Sequence, residues 1–356
     1  MVLNEHILSV LRAKNIPSHV QIELTKRCNW RCKFCYAECD EDDGLDTATL
    51  FSLLDDLKRM GTIEINFTGG EPLLKKRCMD IFERAKSLGF GLSLNTNGSL
   101  INEKNYKKLS ELFSRIEISL HSGIESEHDQ IVQRTGAWKK TVHAIKLLTE
   151  ENVKVLMKCV LTQETLNSLN SLNLLSKSIG VELVVDYNIT PTYSGNTKPL
   201  QYKLTNEQIS KLIETDKSVV YKVSDDYIEE NYKKRKLSDG ICRAGRTSAF
   251  IDAEGNVFPC IIFKDTSVPE TSGDYTENIK TNPFENIWRN NSLFHEIRAL
   301  SAADFDKCLS CEIDNYCIKC IAKNYKSSGN PTKPQNDFCT QAHSTYGCLV
   351  ERNVEH

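Results

Sequence analysis

The sequence lacks any apolar run long enough to cross a membrane, and it lacks the apolar core of a signal peptide, because Asn4, Glu5 and His6 interrupt its N-terminus. A basic excess is also missing. The formal net charge of the 356 residues is -3, which offers no broad electrostatic footprint for nucleic acid. With 26% charged and 40% hydrophobic residues, the composition is that of a folded globular chain. We therefore expect a cytoplasmic protein that binds neither a membrane nor nucleic acid.

Cysteine, by contrast, is abundant, with 14 residues. In the reducing cytosol, thiols serve as metal ligands or reactive groups more often than as disulfides. Ten of the cysteines fall into two groups that are separated by a nearly cysteine-free stretch. The first group is Cys28, Cys32 and Cys35, and the second is Cys242, Cys260, Cys308, Cys311, Cys317, Cys320 and Cys339.

Between the two groups, short β-branched runs alternate with segments of helical periodicity, which predicts parallel βα units. The predicted strands are 20–24, 63–67, 91–94, 116–120, 153–161 and 181–187, and the predicted helices are 47–60, 75–88, 102–113, 138–149 and 166–179. Six strands with right-handed crossovers predict an α/β fold, a partial (β/α)6 barrel. Its chemistry is expected at the C-terminal ends of the strands.

Turn residues and cysteine density predict the domain organisation. Pro191, Gly195 and Pro199 mark a linker, and a helical bridge is expected from about Asn206 onward. The alternating run 251–257 predicts a hairpin within the C-terminal cysteine-rich region. The predicted segments are an N-terminal extension (1–19), the partial barrel (20–190), the linker with bridging helices (191–239) and the cysteine-rich domain (240–356).

The first cysteine group forms a Cys-x3-Cys-x2-Cys loop directly after the first predicted strand. Three thiolates on one loop can hold three irons of a four-iron cluster and leave the fourth iron free for a small chelating molecule. A structural zinc loop is the alternative. Three close cysteines without a nearby fourth ligand make a poor closed tetrahedral site.

This loop, with Phe34 before its last cysteine, resembles the signature of radical S-adenosylmethionine (SAM) enzymes. Gly69-Gly70-Glu71-Pro72, after the second strand, is similar to the GGEP motif of that family. The resemblance implies that Cys28, Cys32 and Cys35 hold a SAM-cleaving [4Fe-4S] cluster, and that the backbone and Glu71 hold the SAM amino group. Glycines permit close backbone approach, and a carboxylate pairs with an ammonium.

The same resemblance implies further SAM contacts in loops that follow later strands. His121 stands where the family commonly has an aspartate, so its role stays open. The residues that the resemblance assigns to SAM binding are Phe34, Gly69, Gly70, Glu71, Pro72, Asn95, Asn97, Ser119, Arg134 and Leu161.

The second cysteine group is similar to the SPASM domain, in which a cysteine, a glycine, a cysteine, a dense four-cysteine run and a last cysteine hold two auxiliary [4Fe-4S] clusters. The two resemblances together cover nearly the whole chain. They imply a distal cluster on Cys308, Cys311, Cys317 and Cys339, and a nearer cluster on Cys242, Cys260 and Cys320. The fourth position of the nearer cluster is either Cys348 or an iron that is open to substrate.

One spacing departs from the family: two residues separate Cys317 from Cys320, where three are usual. Paired Cys-x2-Cys units are also typical of zinc ribbons, which remain the alternative for this region.

The implied chemistry is reductive cleavage of SAM to a 5′-deoxyadenosyl radical, which abstracts a hydrogen atom from the substrate. Enzymes with both resemblances mostly modify peptides, so we expect maturation of a ribosomally made peptide by a C–S, C–C or C–O crosslink at an unactivated carbon. The implied partners are the precursor peptide and an electron donor such as flavodoxin or ferredoxin. A leader would be recognised by a separate leader-binding protein or by the barrel itself, because the first predicted strand begins at Val20.

Alternative functions differ in the residues they require. A peptide epimerase would use a cysteine as hydrogen-atom donor, for which Cys39 and Cys348 are the candidates; the catalytic residue is otherwise unknown. A sulfatase-maturating-type oxidase is disfavoured because Ile261, rather than an aspartate, follows Cys260. An iron–sulfur electron carrier or a zinc-binding interaction module would not need the Gly69-Gly70-Glu71-Pro72 motif. The remaining Cys78 and Cys159 are expected to be small buried hydrophobes.

Overall fold

The computed structural model describes residues 5–215, 241–264, 276–314, 317 and 319–354. Contacts divide the chain into two compact units. The first unit comprises the described parts of Met1–Lys203, Ala244–Asp265 and Tyr275–Phe294, and the second comprises the described parts of Leu204–Arg243, Thr266–Asp274 and His295–His356. The domain boundaries expected from the sequence stay a prediction.

Within the described residues, the strands form one nine-stranded sheet in the first unit. The strands are β1 (His19–Glu23), β2 (Glu64–Thr68), β3 (Gly91–Thr96), β4 (Arg115–Ser119), β5 (Lys154–Val160), β6 (Glu182–Asp186), β7 (Ser248–Ile251), β8 (Asn256–Phe258) and β9 (Glu277–Asn278). Their order is β6-β5-β4-β3-β2-β1-β7-β8-β9, and β1 to β6 pair in parallel. This arrangement confirms the α/β fold and the six parallel strands of the partial barrel.

Helices connect the strands as the periodicity predicts, with differences at their ends. The helices are α1 (Glu5–Ala13), α2 (Thr47–Arg59), α3 (Cys78–Ser87), α4 (Tyr106–Leu112), α5 (Glu125–Val132), α6 (Ala137–Thr149), α7 (Leu169–Ile179), α8 (Asn206–Thr215), α9 (Phe284–Asn290), α10 (Ser292–Ala299), α11 (Asp306–Leu309), α12 (Ile321–Ser328) and α13 (Asn336–Val354). None of the described helices is both long and apolar enough to cross a bilayer.

Of the helices between the six parallel strands, α3, α4 and α7 start three or four residues later than the periodicity predicts, and α5 was missed. Helix α7 begins at Leu169 because the short turn Leu166–Ser168 precedes it. Helix α3 begins at Cys78 rather than Lys75, because Arg77 has a left-handed φ of 56° that separates the helix from the preceding short turn. Helix α4 begins at Tyr106, because the Asn105 side chain accepts a hydrogen bond from the Asn102 amide and closes a turn there. Helix α5 was not predicted. Its first turn is polar, and its apolar residues lie at the C-terminal end.

The predicted hairpin is confirmed as β7 and β8, which pair antiparallel. Its turn is built on Asp252, whose side chain accepts from the amides of Glu254 and Asn256 at 3.0 and 2.8 Å. Gly255 in this turn has φ +97°, which favours glycine. Strand β7 also pairs in parallel with β1, and the amide of Leu45 donates to the Ala253 carbonyl at 2.9 Å. The hairpin therefore extends the barrel sheet and contacts the loop that carries the first cysteines.

The core on the helical side of the sheet contains an aromatic cluster. Phe67, Phe82 and Phe113 are all among the largest fully buried side chains. Ring centroids lie 5.1 Å apart for Phe67 and Phe82, 4.9 Å for Phe82 and Phe113, and 6.5 Å for Phe67 and Phe113. Phe82 thus fixes α3 against the strand that precedes the Gly69-Gly70 turn.

The second unit is helical in its described part. Helix α8 packs along α13, where the hydroxyls of Ser210 and Ser344 are 2.7 Å apart and Asn206 donates to Asp337 at 3.3 Å. The bridging helix expected from Asn206 is present over the described residues. The remainder of that bridge, with the lysine-rich run 233–236, lies outside them.

We expect Phe82→Ala to lower the free energy of unfolding by roughly 3–5 kcal/mol, because it opens a cavity inside the aromatic cluster. Urea denaturation followed by far-UV circular dichroism measures this loss. Leu174→Ala is the matched control, since Leu174 is 61% exposed and its replacement should change the value by less than about 0.5 kcal/mol. Equal losses for the two variants would contradict the packing described here.

Candidate active site

A cavity of about 550 Å³ lies at the C-terminal ends of the parallel strands. This volume is within the range of small-molecule and cofactor sites. Its wall comes from the segments that follow successive strands: the cysteine loop after β1, Gly69 and Gly70 after β2, Asn97 after β3 and His121 after β4. The carboxyl ends of parallel strands meet at one edge of the sheet, so the topology itself brings these residues together.

The cysteine loop is held in place by backbone pairing and by an apolar anchor. The amides of Arg31 and Lys33 donate to the carbonyls of Val132 and Ile131 at the end of α5, both at 3.0 Å. Trp30, which is 3% exposed, packs into a cluster with Ile131, Val132 and Ala137. Cys28, Cys32 and Cys35 are half-buried and all line the cavity.

The donor set at this loop fits an iron–sulfur cluster. A hydrogen-bonding contact with the Cys39 thiol, together with burial, raises the pKa of Cys28 above its ordinary range. Burial, with Cys28 and Cys39 nearby, raises the pKa of Cys32 in the same way. Crowded thiolates at this position need a compensating cation. Iron is such a partner, because a coordinated thiol is deprotonated outright.

Gly70 is required by the close approach of two loops. A Cβ atom at residue 70 would lie 2.3 Å from the carbonyl oxygen of Arg27. The amide of Gly70 donates to the Thr25 carbonyl at 2.8 Å, and the amide of Glu71 donates to the Arg27 carbonyl at 2.7 Å. The turn after β2 is therefore bonded directly to the start of the cysteine loop.

Glu71 is fully buried and lies behind the cavity wall. Its Oε1 accepts from Thr96 Oγ1 at 2.7 Å and from the Leu73 amide at 3.1 Å, and its Oε2 accepts from the Asn97 amide at 2.8 Å. The carboxyl thus connects the turn after β2 to the end of β3. Burial raises the pKa of Glu71 to about 7, and the three donors offset this effect only in part.

Asn97 connects the end of β3 to the cysteine loop. Its Nδ2 donates to Asn29 Oδ1 at 2.7 Å, Asn29 Nδ2 donates to Ser99 Oγ at 2.8 Å, and Ser99 Oγ donates to Asn97 Oδ1 at 2.6 Å. Asn29 and Ser99 were missed in the sequence analysis. The available signal for Asn29 was a polar residue between two cluster cysteines, and Ser99 gave none beyond its loop position.

His121 forms part of the wall as a neutral ring. Its Nδ1 accepts from the Val160 amide at 3.2 Å, so the ring proton is on Nε2. Burial, with His128 stacked 5.8 Å away, lowers the pKa of His121 to about 3. The Phe34 ring meets it edge-on at 4.9 Å. His121 is thus uncharged at neutral pH, where the family commonly has a charged aspartate.

The segment after β6 forms a further part of the cavity wall. The amide of Tyr193 donates to the Tyr36 carbonyl at 3.1 Å, and Glu38 accepts from Thr192 Oγ1 at 3.1 Å and from the Ser194 amide at 3.1 Å. These bonds hold the segment against the cysteine loop. This part of the wall carries several polar residues beside the apolar Ile189 and Pro199; the polar residues are Asp186, Asn188, Thr190, Thr192 and Asn196.

The structure brings most of the expected SAM contacts to one cavity. Those that line it are Phe34, Gly69, Gly70, Asn95, Asn97 and Ser119. Those not found in its lining are Glu71, Pro72, Arg134 and Leu161. Pro72 and Leu161 are buried, whereas Arg134 is exposed and its neighbour Gln133 lines the cavity. SAM contact by any of these residues stays a prediction.

Sequence reasoning also missed a charged pair inside the cavity. Lys158 Nζ on β5 lies 3.0 Å from Glu117 Oε2 on β4, and both side chains line the wall. In the pairing of β4 with β5, Lys158 lies opposite Ser119. Both strands therefore present polar groups to the cavity. The available sequence signal for this pair was the occurrence of polar residues at alternate positions of these strands. Such alternation is typical of strands that line a partly polar barrel interior.

The cysteines of the second group are distributed over both units. Cys260 lies in the first unit, directly before the short turn Ile261–Phe263, and Cys242 lies in the second. Cys317 is buried with Ile313, Phe338 and Ala342, and Cys320 packs against the same cluster. The side chain of Cys348 lies outside the described residues. Cys159 is buried, Cys78 is half-buried, and Cys39 lines the cavity beside the first cysteine group.

These features define a protein with a parallel-sheet partial barrel, a loop of three cysteine thiols and a small-ligand cavity at the C-terminal strand ends. Residues 22–174 match the model of the radical SAM superfamily, and residues 242–312 match that of SPASM, an iron–sulfur cluster-binding domain. The chain belongs to the radical SAM superfamily and carries a C-terminal SPASM domain. SAM and [4Fe-4S] clusters are typical of this family, whose members are enzymes.

Comparison with known proteins finds similarity along most of the chain. It is 24% identical over 339 residues to the AdoMet-dependent heme synthase of Oleidesulfovibrio alaskensis, covering 86% of this chain and 83% of that protein. It is 25% identical over 356 residues to the mycofactocin maturase MftC of Mycobacterium tuberculosis, covering 96% and 88%. Streptococcus suis SuiB bound to precursor peptide SuiA has a similar fold, with a TM-score of 0.69, 19% identity and coverage of 92% of this chain and 77% of that one.

We expect the buried Glu71 carboxyl to make stability fall with rising pH. Because its folded pKa of about 7 exceeds the ordinary 4.5, its contribution is fully present below about pH 4.5 and is lost as the pH rises through about 7. Glu71→Gln cannot ionise. Between about pH 4.5 and pH 8, the free energy of unfolding of the wild type should therefore fall by about 3 kcal/mol more than that of the variant.

Urea titrations at several pH values measure this difference. Glu41→Gln is the matched control, because the Glu41 side chain is 88% exposed and its variant should follow the wild type. Parallel curves for Glu71→Gln and the wild type would show that the carboxyl titrates normally in the folded protein.

Proposed function

We propose that this enzyme matures a ribosomally made peptide by forming a C–S, C–C or C–O crosslink at an unactivated carbon. When bound, SAM and its cluster supply the 5′-deoxyadenosyl radical that abstracts the substrate hydrogen atom. The chain itself provides the cluster ligands Cys28, Cys32 and Cys35 and a cavity that positions the reacting groups. The observation that carries the peptide proposal is the open edge of the sheet beside this cavity.

Strand β6 is the terminal strand of the sheet, and no described strand pairs with its outer edge. Its last residue, Asp186, and the following Asn188 line the cavity. An exposed strand edge can pair with an extended peptide through backbone hydrogen bonds. A peptide in this position would pass directly in front of the cavity, with one side chain reaching inward.

The polar wall after β6 supports the same substrate class. Amides and hydroxyls such as those of Asn188, Thr190 and Asn196 match the hydrogen-bonding groups of a peptide backbone. Deeper in the cavity, the Lys158–Glu117 pair can orient a polar side chain of the substrate. SuiB, whose structure holds a precursor peptide, has the same fold, and mycofactocin maturase is similar along most of its length.

We further propose two auxiliary [4Fe-4S] clusters on the second cysteine group. One is held by Cys308, Cys311, Cys317 and Cys339, and the other by Cys242, Cys260 and Cys320. The fourth ligand position of the second cluster is either Cys348 or an iron open to a substrate thiolate. The precursor peptide, an electron donor such as flavodoxin or ferredoxin and, if the barrel does not bind the leader, a leader-binding protein are the proposed partners.

A second candidate substrate is a heme-type tetrapyrrole, because the chain is similar to the heme synthase over 86% of its length. A flat macrocycle binds best between apolar and aromatic walls. Aromatic residues such as Phe34 and Tyr202 also line the cavity, and we favour the peptide because Asn188, Thr190 and Asn196 add hydrogen-bonding groups to the wall after β6.

Anaerobically reconstituted protein with SAM and dithionite is expected to release 5′-deoxyadenosine, which liquid chromatography with mass spectrometry quantifies. Cys32→Ala should abolish the release, because only two protein thiolates remain for the first cluster. Cys78→Ala is the matched control and should retain full release, since Cys78 belongs to neither cysteine group. Release by Cys32→Ala at the wild-type level would refute the proposed cluster site.

With the precursor peptide from a neighbouring short reading frame, the enzyme should produce a peptide that has lost two hydrogens per crosslink. Tandem mass spectrometry locates the bond. Coproporphyrin-type tetrapyrroles, supplied in parallel, should remain unchanged. Turnover of the tetrapyrrole without any change in peptides would establish the second candidate instead.

A further inference from the structure

The crosslink of the proposed function releases a proton into the cavity. Joining an unactivated carbon to a sulfur, oxygen or carbon partner removes two hydrogens from the peptide. One leaves as a hydrogen atom and converts the 5′-deoxyadenosyl radical to 5′-deoxyadenosine. The other leaves its partner atom as a proton, and the remaining electron reduces an oxidised auxiliary [4Fe-4S] cluster. A side chain at the cavity wall that receives this proton would accelerate bond formation.

Two carboxylates line the cavity within the residues that the structure describes, Glu117 and Asp186. Glu117 has a cation near each of its oxygens. Its Oε2 lies 3.0 Å from Lys158 Nζ, and its Oε1 lies 3.2 Å from Arg115 Nε. A proton delivered to Glu117 would displace these ion pairs, which makes this carboxylate a poor base.

Asp186 has a different set of contacts. Its Oδ1 accepts from the Asn188 amide at 2.8 Å and from Asn188 Nδ2 at 3.0 Å. In the described part of the chain, no lysine or arginine pairs with this carboxylate, and no donor is bonded to Oδ2. The side chain is half-buried at the cavity wall. One oxygen is thus held by Asn188, while the other can accept a proton from the substrate.

The nitrogen-bearing side chains of the same wall are unsuited to this role. His121 Nδ1 already accepts from the Val160 amide at 3.2 Å, and the ring proton is on Nε2. Burial, with His128 nearby, lowers the pKa of His121 to about 3, so the ring is a weak base. The lysines and the arginine of the wall are cations without a lone pair. Among the described carboxylates and nitrogen bases of the cavity, Asp186 is therefore the best proton acceptor.

Asp186 also lies where the proposed peptide would pass. It is the last residue of β6, the terminal strand, whose outer edge is not paired with any described strand. Its backbone is fixed, because it lies opposite Val160 in the sheet and its carbonyl accepts from the Leu161 amide at 2.7 Å. A functional group on a strand is held more precisely than one on a loop. A peptide on the β6 edge would bring its reacting side chain to this carboxylate.

We propose that Asp186 is a catalytic base of the crosslinking reaction, and that its Oδ2 accepts the proton of the partner atom as the new bond forms. This inference rests on the proposed function. The two donors from Asn188 fix the orientation of the carboxylate. The hydrogen atom ends on 5′-deoxyadenosine, the proton on Asp186 and the electron on the auxiliary cluster. Because the side chain is only half-buried, the proton can then pass to solvent.

The test compares Asp186→Asn with the parent in anaerobic reactions that contain SAM, dithionite and the synthetic precursor peptide from the neighbouring reading frame. Mass spectrometry quantifies the crosslinked peptide and 5′-deoxyadenosine in the same sample. The ratio of crosslinked peptide to 5′-deoxyadenosine should fall about a hundredfold or more, because hydrogen-atom abstraction precedes the proton transfer that the variant lacks. Glu182→Gln is the matched control. Glu182 begins the same strand and does not line the cavity, so this variant should keep the parent's ratio.

Chemical rescue distinguishes a base from a residue that only supports the wall. Asp186→Ala leaves a space that formate, itself a small carboxylate, can occupy. Sodium formate should raise the ratio of this variant about tenfold or more, whereas sodium chloride at the same concentration should not. This second variant decides the question even if Asp186→Asn fails to fold.

The parent protein separates the inference from the function on which it rests. If the parent removes no hydrogens from the peptide, the proposed function fails, and the inference fails with it. If the parent forms the crosslink and Asp186→Asn keeps the parent's ratio, only the role of Asp186 is overturned. A loss in Asp186→Ala that formate does not reverse would likewise show that the aspartate is not the base.

Discussion

The backbone contact between the Gly69-Gly70 turn and the start of the cysteine loop is the constraint on which the active site depends. At Gly70 there is no space for a side chain against the carbonyl of Arg27. The next residue, Glu71, uses its backbone to bond the cysteine loop and its carboxyl to bond the end of β3. One turn therefore sets the relative positions of three consecutive strand ends, where SAM and its cluster would bind.

Much of the fold could be predicted because its signals are local. The β-branched runs and the periodic segments identify the six parallel strands and most of the helices between them, and the Gly255 turn identifies the hairpin. Helix α5 could not be found in this way, since it has few apolar residues. The role of Ile131 and Val132 is apparent only from their packing with Trp30 in the folded protein. The motif residues of the site were accessible through family resemblance. The Asn97–Asn29 bond and the Lys158–Glu117 pair were not, because they depend on strand register and loop contact.

The barrel interior carries polar groups where a closed barrel would be filled with branched aliphatic side chains. Gln21 donates to Asn66 at 3.0 Å, and Asn66 donates to Ser93 at 2.9 Å and to Asn95 at 3.1 Å. The strand register places Gln21 opposite Asn66 and Asn66 opposite Ser93. A slip of one residue would break every bond of this row, so the buried amides specify the alignment that brings the strand ends level.

The pairing of β7 with β1 affects how the sheet forms while the chain is being synthesised. Strand β1 is made early, but its second neighbour in the sheet is β7, more than two hundred residues later. Until the ribosome has released that segment, one side of β1 presents free amides and carbonyls that could pair with a wrong strand. The hairpin turn that supports Leu45 is also absent until then. The loop that carries Cys28, Cys32 and Cys35 is therefore only half supported while the chain is being made, and we expect it to reach its final conformation only after the hairpin has been translated.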